Sequence, residues 1–238
     1  MAPPTRSVSR PMSADPTRPA PNDAESSAPG LDLLETASGL DRRLHPYAPA
    51  ADGSILCRGE RFVPYLGSGQ IRARIAELGA QISHEYAGTT PILIGVLNGA
   101  FVFISDLMRA LTIDCEVDFF KLSSYGAAKV SSGQITELKR VDAQLAGRHV
   151  IVVEDIVDTG QSMRYMLDAI AELKPETLRV VTLLDKPEAR QVTVPLDYVG
   201  FRIPNLFVLG YGLDYGQLAR NLPDLYVLAD SPAHGHTG

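Results

Sequence analysis

Residues 154–162, Glu-Asp-Ile-Val-Asp-Thr-Gly-Gln-Ser, gather the carboxylates Glu154, Asp155 and Asp158 beside the hydroxyls of Thr159 and Ser162. Like charges this close repel one another unless cations, hydroxyls or a shared proton offset them. On the amino side, Val150 to Val153 is a run of branched apolar residues, the pattern of a strand buried on both faces of a parallel sheet. On the carboxyl side, Met163, Met166, Leu167, Ile170 and Leu173 recur at helical spacing and make one apolar face. The acids therefore belong to a tight polar turn between a strand and a helix. Such a turn leaves the N–H groups of residues 159–162 at a helix N-terminus, where the backbone dipole favours an anion such as phosphate. Glu154 and Asp155, just before it, suit ribose hydroxyls or a hydrated Mg²⁺.

Other chemistries fit these residues less well. Asp158-Thr159-Gly160 is also the core of the aspartic-protease signature, which needs a second copy or an obligate dimer in an all-β chain. No second copy is present. The Walker pattern G-x-x-x-x-G-K-[ST] is absent as well, so an ATPase-type loop is not supported. Capping a helix takes one acid, and three in five residues exceed that need.

The elements that must hold this turn start at Ser68. Ile71, Ile75, Leu78, Ile82 and Tyr86 predict an amphipathic helix capped by Ser68 and ended near Gly88. Ile92 to Leu97 reads as a buried strand, Phe101 to Leu111 as a helix and Glu116 to Leu122 as a strand. Strand 150–153, helix 162–174 and strand 178–184 follow. This alternation predicts an α/β fold, a mostly parallel central sheet flanked by helices, with sites at the carboxyl ends of its strands.

Composition bounds the rest. The chain has 238 residues, 45% of them hydrophobic, enough for one sizeable core. Its 28 acids against 22 Lys and Arg give no basic footprint for nucleic acid, which favours small-molecule work. Cys57 and Cys115 form neither a C-x-x-C nor a disulfide framework, so a reducing, cytoplasmic location is expected. No apolar run approaches the roughly eighteen residues of a membrane span. Residues 1–30 carry seven prolines and few large apolar side chains, and are expected to be a disordered tail. They lack the apolar stretch of a secretory signal, and acids from Asp15 onward argue against an organellar transit peptide. Residues 31–67 read as an N-terminal extension or small flap, and 68–238 as the main domain.

Four further segments lie at strand ends or in the loops beyond. Leu97-Asn98-Gly99-Ala100 joins a strand to a helix, so its backbone N–H groups could hold a second anion. Residues 123–136, Gly- and Ser-rich without periodicity, read as a mobile lid. Lys186 follows the apolar Leu183-Leu184 and on sequence alone is as readily a surface lysine. The stretch 199–223 mixes aromatic and apolar residues that ordinary core packing would also explain.

Val152 to Ser162 resembles the phosphoribosyl pyrophosphate (PRPP) signature of type I phosphoribosyltransferases, in the form of the hypoxanthine-guanine branch. The resemblance covers about residues 60–230, with five motifs in the expected order. It implies that fold, with a small base-binding hood at 186–225. By the same resemblance Asp158, Thr159, Gly160, Gln161 and Ser162 bind the PRPP phosphate, and Asp158 is also the general base or acid near purine N7. Leu97, Asn98, Gly99 and Arg220 would bind pyrophosphate, although Asn98 stands where the family commonly has a basic residue. Ser124 and Tyr125 open the lid that closes over the reacting centre. Lys186 would hydrogen-bond the 6-oxygen of a purine, Phe207 would stack on the ring, and Val208 would offer backbone groups to its edge. Glu154, Asp155 and Asp214 would serve Mg²⁺, the implied cofactor, with the first two also facing ribose.

The implied reaction is transfer of phosphoribose from PRPP to hypoxanthine or guanine, giving IMP or GMP and pyrophosphate in purine salvage, by a homodimer or homotetramer. Two rivals stand beside it. A phosphoribosyltransferase for xanthine, adenine or orotate shares the PRPP loop, and only the Lys186 and Phe207 segments speak against it. Some relatives of the fold are nucleic-acid-binding regulators, against which stand Asp158, the acidic composition and the lack of a helix-turn-helix extension. For the tail, deleting residues 1–30 should change stability by no more than about 0.5 kcal/mol, measured by thermal unfolding; a large drop would mean that it docks.

Overall fold

Short apolar strands and amphipathic helices alternate through the computed structural model, which describes residues 46–124 and 135–229. The expected tail at 1–30 and Tyr125 of the expected lid lie outside those residues. In chain order the elements are β1 (Ile55–Cys57), β2 (Glu60–Leu66), α1 (Ser68–Glu85), β3 (Ile92–Leu97), α2 (Phe101–Ala110), β4 (Glu116–Ser124), β5 (Ile135–Lys139), β6 (His149–Val157), α3 (Gln161–Ala171), β7 (Thr177–Asp185), β8 (Tyr198–Arg202), β9 (Val208–Leu209) and β10 (Leu225–Leu228). Among the described residues, no helix is long and apolar enough to cross a membrane.

The central sheet has the order β5-β4-β3-β6-β7-β8. All its pairings are parallel except β4 with β5. Side-chain alternation sends Leu93, Ile151, Val153 and Val181 to one face, where α1 and α2 cover them with Ile71, Ile75, Phe103 and Leu107. Ile92, Ile94, Val150, Val152 and Val180 go to the other face, under Met163, Met166, Leu167 and Ile170 of α3. Both faces being covered is why the strands read as continuous apolar runs. Each such side chain withdrawn from water contributes about 1.5–3 kcal/mol.

A second, antiparallel sheet runs β1-β2-β10-β9. Strands from residues 55–66 and 208–228, far apart in sequence, thus share one sheet, with Val63 opposite Val227 and Phe62 opposite Leu228, so it runs past the end expected for the hood at residue 225. Ile55, Cys57, Phe62, Leu209, Leu222 and Tyr226 fill its small core.

Three local expectations need correction: the helix expected at 162–174 ends at Ala171, which leaves Leu173 exposed beyond its apolar face, and a cap and a strand end also move. Gly67, not Ser68, holds the N-cap position of α1, its N–H donating to Gln70 Oε1 at 3.0 Å. Ser68 is already helical, and its N–H donates to Asp224 Oδ1 at 2.6 Å, a carboxylate brought from the start of β10. The strand expected at 150–153 continues to Val157, because β7 stays paired beside it through Ile156–Leu184 and Val157–Asp185. Glu154 and Asp155 are therefore strand residues.

That extension bears on the site. β3 pairs with β6 only from Ile92–Val150 to Gly95–Val153, while β3 remains paired with β4 as far as Leu97–Lys121. The chain leaves β3 through α2 toward β4, and leaves β6 through α3 toward β7, on the opposite face. Their carboxyl ends part, and the crevice between them is the topological switch point where α/β sheets bind ligands.

Asp118 on β4 ties down the segment that returns from β5. Its carboxylate accepts N–H groups of Phe119, Asp142 and Ala143 at 2.6, 2.6 and 2.9 Å, and Lys139 Nζ at 3.2 Å. Burial pushes the Asp118 carboxyl up, but these bonds outweigh it and hold it below its ordinary value of 3.8. Its stabilisation is therefore present above that value and is lost as pH falls through the lower folded one. Asp118→Ala should cost about 1–3 kcal/mol in urea unfolding at neutral pH, with the difference from the unaltered protein shrinking in acid; no difference at neutral pH would refute the anchoring role.

Candidate active site

The crevice holds a cleft of about 280 Å³, walled by Val96 and Leu97 of β3, by residues 154–160, and by Ser162 and Met163 of α3. Glu154 and Asp155 stand side by side in it. Burial, with Asp155 beside it, pushes the Glu154 carboxyl well above the ordinary range, and burial raises Asp155 as well. A strand end delivers both acids into a space where their charges are poorly solvated, a state that a cation or hydroxyl donors would relieve.

The turn after β6 is set by Gly160, the N-cap of α3 at φ 85°, where an L side chain is strained. The first helical bond runs from the Arg164 N–H to the Gly160 carbonyl at 2.9 Å, so the amides of Ser162 and Met163 precede it and are free for an anion. The Gln161 N–H makes a long contact of 3.4 Å with Thr159 Oγ1, and its side-chain amide donates to Gln191 Oε1 at 3.0 Å. Asp158 is half-exposed at the mouth, 3.3 Å from Lys186 Nζ, whose side chain is only 8% exposed. The lysine is thus a buried cation facing the cleft through a carboxylate, not a surface residue.

Arg220 and Asp214 approach through backbone contacts. The loop after β3, whose Leu97–Asn98 peptide is cis, closes over Asp155. A methyl group on Gly99 would lie 1.6 Å from Asp155 Oδ2, so only glycine permits this approach. Gly212 of the hood packs in turn on the Gly99 carbonyl, at 2.3 Å from where its own methyl would be. Arg220 donates to the Gly212 carbonyl at 2.8 Å and pairs with Asp214 at 2.7 Å, and its charge opposes the upward shift of Asp155. Asp214 also accepts the Gln217 N–H at 2.7 Å.

Phe207 is 45% exposed, held edge-on by Tyr215 at 5.3 Å and tilted against the buried Phe62 at 6.1 Å. Val208 is buried in β9, paired with Val227. Ser124 ends β4. Leu97, Glu154, Asp155, Asp158, Thr159, Gly160 and Ser162 line one cleft, whereas Gln161, Lys186, Phe207, Val208, Asp214 and Arg220 do not line it. Lys186 reaches it through Asp158, and Arg220 through Gly212 and Gly99. Arg190 also donates to the carbonyls of Val157 and Asp158 in this turn, a role that one arginine in a loop rich in Pro and polar residues does not signal in the sequence.

The phosphoribosyl transferase domain model matches residues 66–216, and the chain belongs to the phosphoribosyl transferase family, with the type I fold. Within that family it is 42% identical to the hypoxanthine-guanine phosphoribosyltransferase of Bacillus subtilis over 159 residues, 67% of this chain and 88% of that one. It is 43% identical to the hypoxanthine phosphoribosyltransferase of Escherichia coli over 156 residues, 65% and 88% of the two chains. The crystal structure of a hypoxanthine-guanine phosphoribosyltransferase from Bacillus anthracis superposes with a TM-score of 0.66 at 39% identity, covering 69% of this chain and 97% of that one. The bifunctional TilS/HprT protein of Listeria innocua is 44% identical over 159 residues, and there the match spans only 24% of the relative's length.

If Gly160 fixes the turn, Gly160→Ala should destabilise the protein by about 1–3 kcal/mol, since its methyl group is strained and would lie 2.4 Å from the Val192 carbonyl. Unchanged denaturant unfolding would contradict that constraint.

Proposed function

We propose that this chain transfers the 5-phosphoribosyl group of PRPP to a 6-oxopurine, hypoxanthine or guanine, releasing pyrophosphate. The observation that carries this reading is the meeting, at one switch point, of an amide-lined turn, a poorly solvated carboxylate pair and a buried lysine held against Asp158. The names of the relatives support the same substrates.

The chemistry is displacement at the anomeric carbon of ribose through an oxocarbenium-like state. Phosphate sits on the amides of residues 159–162, where the α3 dipole adds to them. Glu154 and Asp155 accept the ribose hydroxyls. Their hard oxygens, paired and short of a cation, fit Mg²⁺, which prefers one or two carboxylates completed by substrate phosphates to an all-protein cage. When bound, Mg²⁺ would supply positive charge to the leaving pyrophosphate. Among the described residues no cluster of three potential ligands exists, in keeping with a metal shared with substrate. Asp214 would join it only by giving up Arg220, whose guanidinium would then face the pyrophosphate with the amides of the Leu97–Gly99 loop.

The base is held from its other side. Phe207 offers an open ring face for stacking, Val208 offers backbone groups to the purine edge, and Lys186 donates to the 6-oxygen, selecting 6-oxo over 6-amino bases. Asp158 takes or returns the proton at N7. The 123–136 segment, opened by Ser124 and Tyr125, would exclude water. In this reading the enzyme works in the cytoplasm as a homodimer or homotetramer.

A PRPP-dependent assay with hypoxanthine, guanine, xanthine, adenine and orotate decides the reading. Turnover is expected with the first two; none with any base, together with tight oligonucleotide binding, would mark a regulator instead. Lys186→Ala should lower kcat/KM for 6-oxopurines by about 1–3 kcal/mol, and an unchanged value would remove that role. Asp158→Asn should cut turnover about 10²–10⁴-fold while PRPP affinity changes far less, because the amides that hold the phosphate remain. Near-normal turnover in that variant would take Asp158 out of the mechanism.

A further inference from the structure

We infer that Arg190 is a positioning residue that fixes the phosphate cradle from behind by holding its peptide planes in one orientation. The inference rests on reading the 158–162 turn as the PRPP site. The Arg190 side chain is 16% exposed and is not among the residues that wall the cleft. Its Nε donates to the Asp158 carbonyl at 3.0 Å, and Nη2 donates to the Val157 carbonyl at 3.1 Å and to Asp185 Oδ1 at 2.6 Å. The backbone that follows continues the pattern, with the N–H groups of Gln191 and Val192 both donating to the Thr159 carbonyl, at 2.9 and 3.0 Å. Gly160 closes on the same segment, with no room for a methyl group between it and Arg190 Cδ or the Val192 carbonyl.

Three successive carbonyls, of Val157, Asp158 and Thr159, are thus engaged from behind. A trans peptide is planar with its N–H opposite its C=O, so a carbonyl fixed backward fixes the next residue's amide forward. The amides so directed are those of Asp158, Thr159 and Gly160. If one of these planes turned over, a carbonyl oxygen would face the phosphate where a donor should be, replacing attraction by repulsion. Asp185 neutralises Arg190 locally and is itself only 6% exposed, so the arginine acts through geometry and not as a phosphate ligand. Asp185 also precedes Lys186, whose N–H donates to the Val157 carbonyl at 3.1 Å. One short segment therefore carries the candidate base selector and braces the candidate phosphate cradle.

A planar fork is what the contacts require. Lysine in its place keeps a charge for Asp185 but cannot reach two carbonyls and a carboxylate at fixed angles. Calorimetric titration of PRPP with Mg²⁺ into the unaltered protein, Arg190→Lys and Arg190→Ala tests the role, alongside steady-state kinetics. Arg190→Lys should weaken PRPP binding roughly 10- to 100-fold while retaining a cooperative melt, with kcat and the purine KM at saturating PRPP shifting less than about 3-fold. Arg190→Ala should weaken it at least as much. An unaltered protein that fails to bind PRPP would overturn the underlying function. A protein that binds PRPP while Arg190→Lys binds it equally well would overturn the positioning role alone. So would an apparent kcat that falls only in step with the folded fraction while the PRPP affinity of the folded protein and both KM values stay unchanged.

Discussion

β3 and β6 stop pairing after Gly95 and Val153, and the rest of the molecule is arranged around that parting. Parallel strands stay zipped while their helices leave to the same side. Here α2 leaves β3 for one face of the sheet and α3 leaves β6 for the other, so neither helix can roof the gap. The crevice is open for a topological reason, and its floor is made of backbone ends: the loop after β3 and the turn after β6. Backbone ends at a helix start present amides, so among the described residues the crevice offers donors suited to an anion without a cluster of cations lining it.

The same geometry settles the charge problem of the acidic run. Glu154 and Asp155 crowd together at the end of a buried strand, and burial pushes both carboxyls up, Asp155 adding to the shift of Glu154 and the Arg220 charge only partly opposing that of Asp155. Every acid just outside that pair has a close cation of its own. Asp158 has Lys186, Asp214 has Arg220, and Asp185 has Arg190. Pairs such as these contribute little net stability, since screening or desolvation offsets attraction, but they fix where each side chain points. The unpaired acids are the ones facing the cleft, where substrate hydroxyls or a metal would complete them.

How much of this is legible in sequence depends on where each partner lies. β3 and α2 are readable because apolar periodicity is local, and Ile92–Leu97 stands in the structure where that pattern puts it. The turn after β6 is readable because strand, acids, glycine and helix are contiguous. What sequence hides is set by distance along the chain. Asp224 supplies a bond to the first residue of α1 from 156 positions away, and β6 outruns its apolar core because β7 holds its polar end in register. The hood is harder still, since β9 has only two residues and exists because β10 pairs with it. Arg190 and Asp118 look like ordinary surface charges until the backbone groups they hold are brought to them by the sheet.

The claim on which all of this turns is that the β3–β6 crevice is where PRPP binds, phosphate on the amides after β6 and pyrophosphate against the loop after β3. Hydrogen–deuterium exchange with and without Mg²⁺ and PRPP reads those amides directly. The account predicts that protection appears together in two separated stretches, 97–100 and 158–163, while the β1–β2 hairpin is unaffected. Ligand-dependent protection elsewhere with both stretches unchanged would contradict it.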